Sequence, residues 1–191
     1  MRKEWKSGPV TEAVYLADEV RSPARREYVG GVPYAMAGAT NAHNLIAANV
    51  LVALHTRLRG RPCRPFHSDT KVRIRLPFEL RFYYPDVSVT CRPNPQSDSF
   101  QDEPAMVVEV LSPETRRIDE GVKLLAYTAI PSLSVYAMVE RAQPQVVVVR
   151  RTATGFVREV HAGLGAVVPL PEIGGELPLA DVYAGVDWSM A

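Results

Sequence analysis

The stretch "AMVVEVLSP", residues 105–113, holds one carboxylate, Glu109, inside a run of Met106, Val107, Val108, Val110 and Leu111. Such β-branched apolar runs form strands buried on one or both faces. An ionised carboxylate there is costly unless it is paired, hydrogen-bonded or metal-bound. Asp86 in "YYPDVSV" is the partner that stands out, 23 residues earlier, at the opening of another strand-like segment. If the two strands are neighbours, both carboxylates converge at one end of a sheet. Two carboxylates that close call for a shared proton or a cation between them. Mg²⁺ suits such a pair, because it takes one or two carboxylates and completes its octahedron with waters and phosphate oxygens.

Lys123 in "DEGVKLLAY" is the third member, 14 residues after Glu109. Its ammonium could reach back over the sheet end, to orient a water or to offset charge on a phosphoryl group. Each residue also has a plainer explanation. An Asp after Pro is a common turn residue, and a strand Glu can face solvent from an edge. Lys123 can be a surface lysine or pair with Asp119 four residues before it.

The elements that must position these groups are legible in outline. "TEAVYLADEV" (11–20) predicts a short helix with Thr11 as its cap, and "REYVGGVPYAM" a hairpin around Gly30-Gly31. "TNAHNLIAANVLVALHTRLRG" (40–60) is the clearest helix, capped by Thr40 and ended by Gly60, with Ala47, Leu51, Leu54 and Leu58 on its apolar face. Strands follow at 71–76, 85–91, 106–111, 134–140, 145–151 and in "FVREVHAG" after a turn at Gly155. A helix over about 115–130 has Ile118, Val122, Leu125 and Ala129 as its expected apolar face, with Lys123 beside it. Ser112 is expected to cap it. The sum is α+β or mixed α/β, a sheet flanked by helices.

Composition sets outer limits. The chain has 191 residues, 47% hydrophobic, with a formal net charge of +1. That suits one domain and argues against nucleic-acid binding through overall charge. A local excess does exist: Arg57, Arg59, Arg61, Arg64, Lys71, Arg73, Arg75 and Arg81 against Asp69 and Glu79. It reads as a solvated face or as a phosphate-contacting one. Cys63 and Cys91 lack metal-type spacing and are expected to be reduced core thiols. No signal-like or membrane-spanning run is present, so the expectation is a cytoplasmic protein with no membrane partner.

The linked segments "REYVGGVPYAMAGATNAHNLIAANV", "YYPDVSVTC" and "PAMVVEVLSPETRRIDEGVKLLAYTAIPSLSVYAMVE" resemble the Uma2 family of restriction-endonuclease-like proteins, grouped with the PD-(D/E)XK nucleases. The likeness runs from about Tyr15 to Tyr183, so it implies one restriction-endonuclease-like domain over residues 1–191. It also implies a metal-dependent endonuclease hydrolysing DNA. Asp86 and Glu109 would be the acidic ligands of Mg²⁺ or Mn²⁺, with the backbone carbonyl of Val110. The superfamily's usual lysine position is occupied by Leu111, and Lys123 looks like its displaced equivalent. The alternative is a catalytically inactive module of the same fold that binds DNA or a protein partner.

Further candidates are weaker. Glu27, a recurrent family position, is either a site residue from the first hairpin or a surface strand residue. His43 either lines the cleft or makes a helix-start hydrogen bond. Asp69 is an outer ligand or a turn residue. "LSP" has no histidine context that would make Ser112 a nucleophile. A symmetric homodimer would suit cleavage of both strands of a duplex.

Overall fold

The computed structural model describes residues 8–36 and 38–188 in full, together with the backbone of Lys3–Glu4. Along the chain run β1 (Lys3–Glu4), α1 (Glu12–Glu19), β2 (Arg26–Val29), β3 (Val32–Ala35), α2 (Asn41–Arg57), β4 (Arg64–His67), β5 (Lys71–Arg75), β6 (Leu80–Tyr83), β7 (Val87–Thr90), β8 (Phe100–Gln101) and β9 (Pro104–Leu111). A helical segment follows in three pieces: α3 (Arg116–Ile118), a π-helical turn over Asp119–Lys123, and α4 (Leu124–Thr128). Then come β10 (Val135–Glu140), β11 (Gln145–Thr152), β12 (Gly155–Ala162), β13 (Val167–Leu170), β14 (Gly175–Pro178) and α5 (Leu179–Val182).

The expected class holds, but the strands divide into two six-stranded mixed sheets. One has the order β1-β3-β2-β6-β5-β8, the other β12-β11-β10-β9-β7-β4, and β13 and β14 form a separate pair. Within the second sheet β9 runs parallel to β10 and antiparallel to β7. Both faces of that sheet are covered. On one, Ile46, Val50, Ala53 and Leu54 of α2 pack on Met106, Val108, Val110, Val135 and Ala137. On the other, Val107, Leu111, Tyr136 and Met138 meet Ala126, Tyr127 and Ile130 after the π turn, and Val72, Ile74 and Tyr83 of the first sheet. Burial on both sides is why β9 reads as a continuous apolar run rather than an alternating one. On the far face of the first sheet, Tyr15 of α1 stacks on Tyr28 and Phe82.

Local signals act where the sequence places them. Thr11 and Thr40 cap their helices, each hydroxyl accepting from a first-turn amide, those of Val14 and His43. Gly30 and Gly31 take φ of 57° and 97°, the positive pair that a two-residue hairpin turn requires. Gly60, with φ of 77°, stops the chain after α2. Ser112 Oγ accepts from the Thr115 amide at the entry to α3, as expected.

Three expectations are corrected. The face Ile118, Val122, Leu125, Ala129 points outward: Leu125 is 73% exposed and Val122 47%, while Asp119, Lys123, Ala126 and Tyr127 are buried. Cys63 and Cys91 form a disulfide, continuing the Arg64–Thr90 register between β4 and β7. Their sequence spacing gives no sign of that cross-strand alignment. The basic stretch 57–81 is not one surface. Arg57 ends α2 and pairs with Asp181 at 2.6 Å, whereas Arg73 and Arg81 lie in the sheet on the other side of β9. There Arg73 is paired with Asp102 and Glu12, and Arg81 with Glu79.

Candidate active site

Strand register brings Asp86 and Glu109 together. Val87 pairs with Val108 across β7 and β9, so the preceding Asp86 falls opposite Glu109 at the sheet end. Asp86 is held there by the backbone: its Oδ2 accepts from the Val110 amide at 2.7 Å. His43, in the first turn of α2, lies against the same oxygen, with Nε2 3.3 Å away. Burial opposes the imidazolium, but the hydrogen bond to Asp86 and its charge outweigh this and raise the His43 pKa, with a contribution from the Val110 backbone.

Glu109 is only 4% exposed and faces the helical segment. Its Oε1 accepts from Lys123 Nζ at 2.8 Å and from the Tyr127 hydroxyl at 3.2 Å. Lys123 Nζ is also 3.1 Å from Glu27 Oε1 on β2 and 3.4 Å from Asp119 Oδ1. The π-helical turn sets this arrangement. It brings Asp119, Lys123 and Tyr127 to the inner side together, and Tyr136 secures it by donating to the Asp119 carbonyl at 3.1 Å. π turns of this kind recur where function demands an irregular helix. Lys123 therefore reaches Glu109.

The electrostatics are lopsided. Three carboxylates, Glu27, Glu109 and Asp119, lie within 3.4 Å of one ammonium, and Asp86 stands opposite Glu109 across the strands. Burial raises the Glu109 pKa well above the usual carboxylate range, Lys123 pulls it down, and Asp119 and Asp86 push it further up. Lys123 stays charged: burial disfavours its ammonium, but Glu109, Glu27 and Asp119 hold its pKa well above normal. Among the described residues, Asp119 Oδ1 lies within ion-pair distance of Lys123 yet has no hydrogen-bond partner, and His43 Nδ1 is likewise buried without one.

A divalent ion is what this fold family implies. Among the described residues, no three His, Cys, Asp or Glu side chains are grouped to hold one. The donors at the sheet end nevertheless suit a hard cation in type and charge: two carboxylates, beside the Val110 backbone, in a cluster with excess negative charge. Among the described residues, their second oxygens, Asp86 Oδ1 and Glu109 Oε2, have no hydrogen-bond partner.

Of the sequence candidates, Glu27, His43, Asp86, Glu109 and Lys123 come together. Asp69 does not join them. It sits in the turn between β4 and β5, half exposed, paired with Arg25 and 3.7 Å from His67. Sequence reasoning missed Tyr127 and the inward role of Asp119. The signal available was their spacing of four and eight residues from Asp119 through Lys123 to Tyr127, a buried polar stripe hidden by the more apolar one beside it.

Two mixed sheets, flanking helices and an acidic pair at the end of adjacent strands define a nuclease-type fold. A solved structure from Anabaena variabilis ATCC 29413, described as "a putative nuclease belonging to DUF820", superposes with a TM-score of 0.69 at 18% identity, over 88% of this chain and 97% of that one. The chain belongs to the Uma2 family, whose description is "Putative restriction endonuclease" and whose model matches residues 12–180. Two relatives from Synechocystis sp. (strain ATCC 27184 / PCC 6803 / Kazusa) bear the name "Uncharacterized protein". One, slr1290, is 31% identical over 90% of each chain, and the other, sll1609, is 28% identical over 69% of this chain and 75% of its own. No helix among the described residues is long and apolar enough to cross a membrane.

Proposed function

We propose that this protein is a Mg²⁺- or Mn²⁺-dependent nuclease that hydrolyses DNA phosphodiester bonds at the Asp86–Glu109 end of β7 and β9. The observation that carries the reading is the cross-strand placement of these two carboxylates, with Lys123 on Glu109 at 2.8 Å. Asp86, Glu109 and the Val110 carbonyl would hold the ion. Bound there, it would lower the pKa of a water and polarise the scissile phosphate. Lys123 offsets negative charge on that phosphate and Tyr127 fixes the orientation of Glu109. The Val110 amide fixes Asp86, and His43 flanks it from α2. Family membership supports the substrate class.

The second reading is a member of the fold without chemistry. It is favoured by Lys123 itself, whose ammonium already neutralises Glu109, and by Leu111 at the usual lysine position. Cleavage of supercoiled and single-stranded DNA, with Mg²⁺, with Mn²⁺ and with chelator, separates the two. The nuclease reading predicts metal-dependent nicking that Asp86→Asn and Glu109→Gln abolish while circular dichroism stays native. Cleavage undiminished in Asp86→Asn would refute the site assignment.

A further inference from the structure

A second lysine is buried, and it lacks what Lys123 has. Lys71 opens β5 and is 4% exposed. It lies on the α1 face of the first sheet, two residues before Arg73. Arg73 is fully compensated there, with Asp102 at 2.6 Å and Glu12 at 2.7 Å. Lys71 has no carboxylate within 4.0 Å among the described residues. Its single hydrogen bond goes to the Tyr84 hydroxyl at 3.4 Å, and its ammonium lies 5.2 Å from the centre of that ring. The nearest acids are engaged elsewhere. Glu19 accepts from Arg26 Nε and N at 2.8 Å and from the Tyr84 hydroxyl at 2.9 Å, while Asp69 is paired with Arg25. An ammonium has three donors, so most of the hydrogen-bonding capacity of Lys71 is unused.

Lys71 lines a surface cavity of about 250 Å³ with Arg25, Ser99 and Tyr84 and with two carboxylates, Glu19 and Asp69, which Arg26 and Arg25 already engage. The cavity lies close to the acidic site along the chain. Tyr84 is two residues before Asp86, and His67, which ends β4 just before the turn with Ser68 and Asp69, pairs with Val87. Arg25 fastens that turn, donating to Ser68 Oγ at 3.2 Å.

We propose that this cavity is an anion subsite in which Lys71, with Arg25 at the rim, takes a phosphate group of the nucleic-acid strand flanking the one at Asp86 and Glu109. This inference rests on the nuclease reading for its source of phosphate and on the cavity alone for its anion chemistry. A buried ammonium without a counter-charge costs stability, and a bound phosphate oxygen supplies both the charge and the missing acceptors. Consistent with that deficit, burial lowers the Lys71 pKa, opposed only by the more distant Glu19 and Asp69.

Two titrations test it, both in chelator so that metal binding plays no part. In the first, inorganic phosphate is added to ¹⁵N-labelled protein. Saturable shifts at the Thr70, Lys71 and Ser99 amides, absent in Lys71→Met, are expected. In the second, a short fluorescein-labelled duplex and a single strand are titrated at several salt concentrations. Lys71→Met is expected to weaken binding about tenfold and to flatten the salt slope by about one, with Lys71→Arg close to wild type. Phosphate shifts at these amides without any oligonucleotide binding would keep the anion site and overturn its nucleic-acid source, whereas the nuclease reading stands or falls separately on metal-dependent cleavage. Absent or scattered phosphate shifts in the wild type would overturn the subsite. So would an oligonucleotide affinity and salt slope unchanged in a folded Lys71→Met.

Discussion

Two buried lysines in one small protein are held in opposite ways. Lys123 is enclosed by Glu27, Glu109 and Asp119, all within 2.8–3.4 Å, while Lys71 has one phenol and, among the described residues, no carboxylate within 4.0 Å. Around Lys123 negative charge is in excess, whereas the acids nearest Lys71, Glu19 and Asp69, are engaged by Arg26 and Arg25. Neither ammonium has the closed geometry of Arg73, which bonds Asp102 and Glu12 on the same sheet as Lys71. Tyr84 beside Lys71 and Asp86 opposite Glu109 both precede β7 in sequence, and an anion at the first place and a cation at the second would each complete what the side chains leave open.

The contrast fixes the signs of several substitutions. Lys123→Met strips three carboxylates of their shared cation and is expected to cost about 3–5 kcal/mol of stability, read from the shift of the urea midpoint. A loss under about 1 kcal/mol would mean that the acids are not held as charged groups around Lys123. Tyr127→Phe removes one donor from Glu109 and should cost about 1.5–3 kcal/mol; as an outer-shell change it should also weaken metal binding about tenfold or more. Thr40→Ala removes the cap of the helix that carries His43 and should cost about 1 kcal/mol, measured by thermal unfolding.

Lys71→Met is expected to do the reverse, leaving stability unchanged or raising it by about 1 kcal/mol near neutral pH. Its pH dependence follows from the lowered pKa of Lys71. Below the folded-state pKa both states carry the proton, and the penalty for the buried charge is complete. Between that pKa and the unfolded value of about 10.5 the unfolded chain binds more protons, so wild-type stability from this group rises with pH. The advantage of Lys71→Met should shrink over that alkaline window. An advantage independent of pH would show that packing, not charge, separates the two proteins.

How much of this was legible depended on whether a signal was local. Thr40 and Gly60 bracketed α2, the paired glycines 30 and 31 marked the hairpin, and β-branched density marked β9. The Asp86–Glu109 pair could be suspected because a charge inside an apolar strand demands a partner. The division into two sheets was not legible, since β4 and β6 are four-residue strands whose partners lie elsewhere in sequence. The face of the helical segment was misjudged for a physical reason. Periodicity takes the apolar stripe as the buried one, but here a charged stripe faces inward because Glu27 and Glu109 wait for Lys123, and the π turn breaks the regular phase. The Cys63–Cys91 disulfide depends on a cross-strand register that spacing does not encode.

The central claim, that the acidic end of β7 and β9 is a metal site, is tested most directly by calorimetric titration of Mg²⁺ and Mn²⁺ into the wild type and into Glu109→Gln. The account predicts saturable binding at millimolar metal or below in the wild type, and its loss in a Glu109→Gln variant that is still folded. Absence of binding in the wild type at neutral pH, or equal binding in both proteins, would contradict it and leave Glu109 with Lys123 as its only counter-charge.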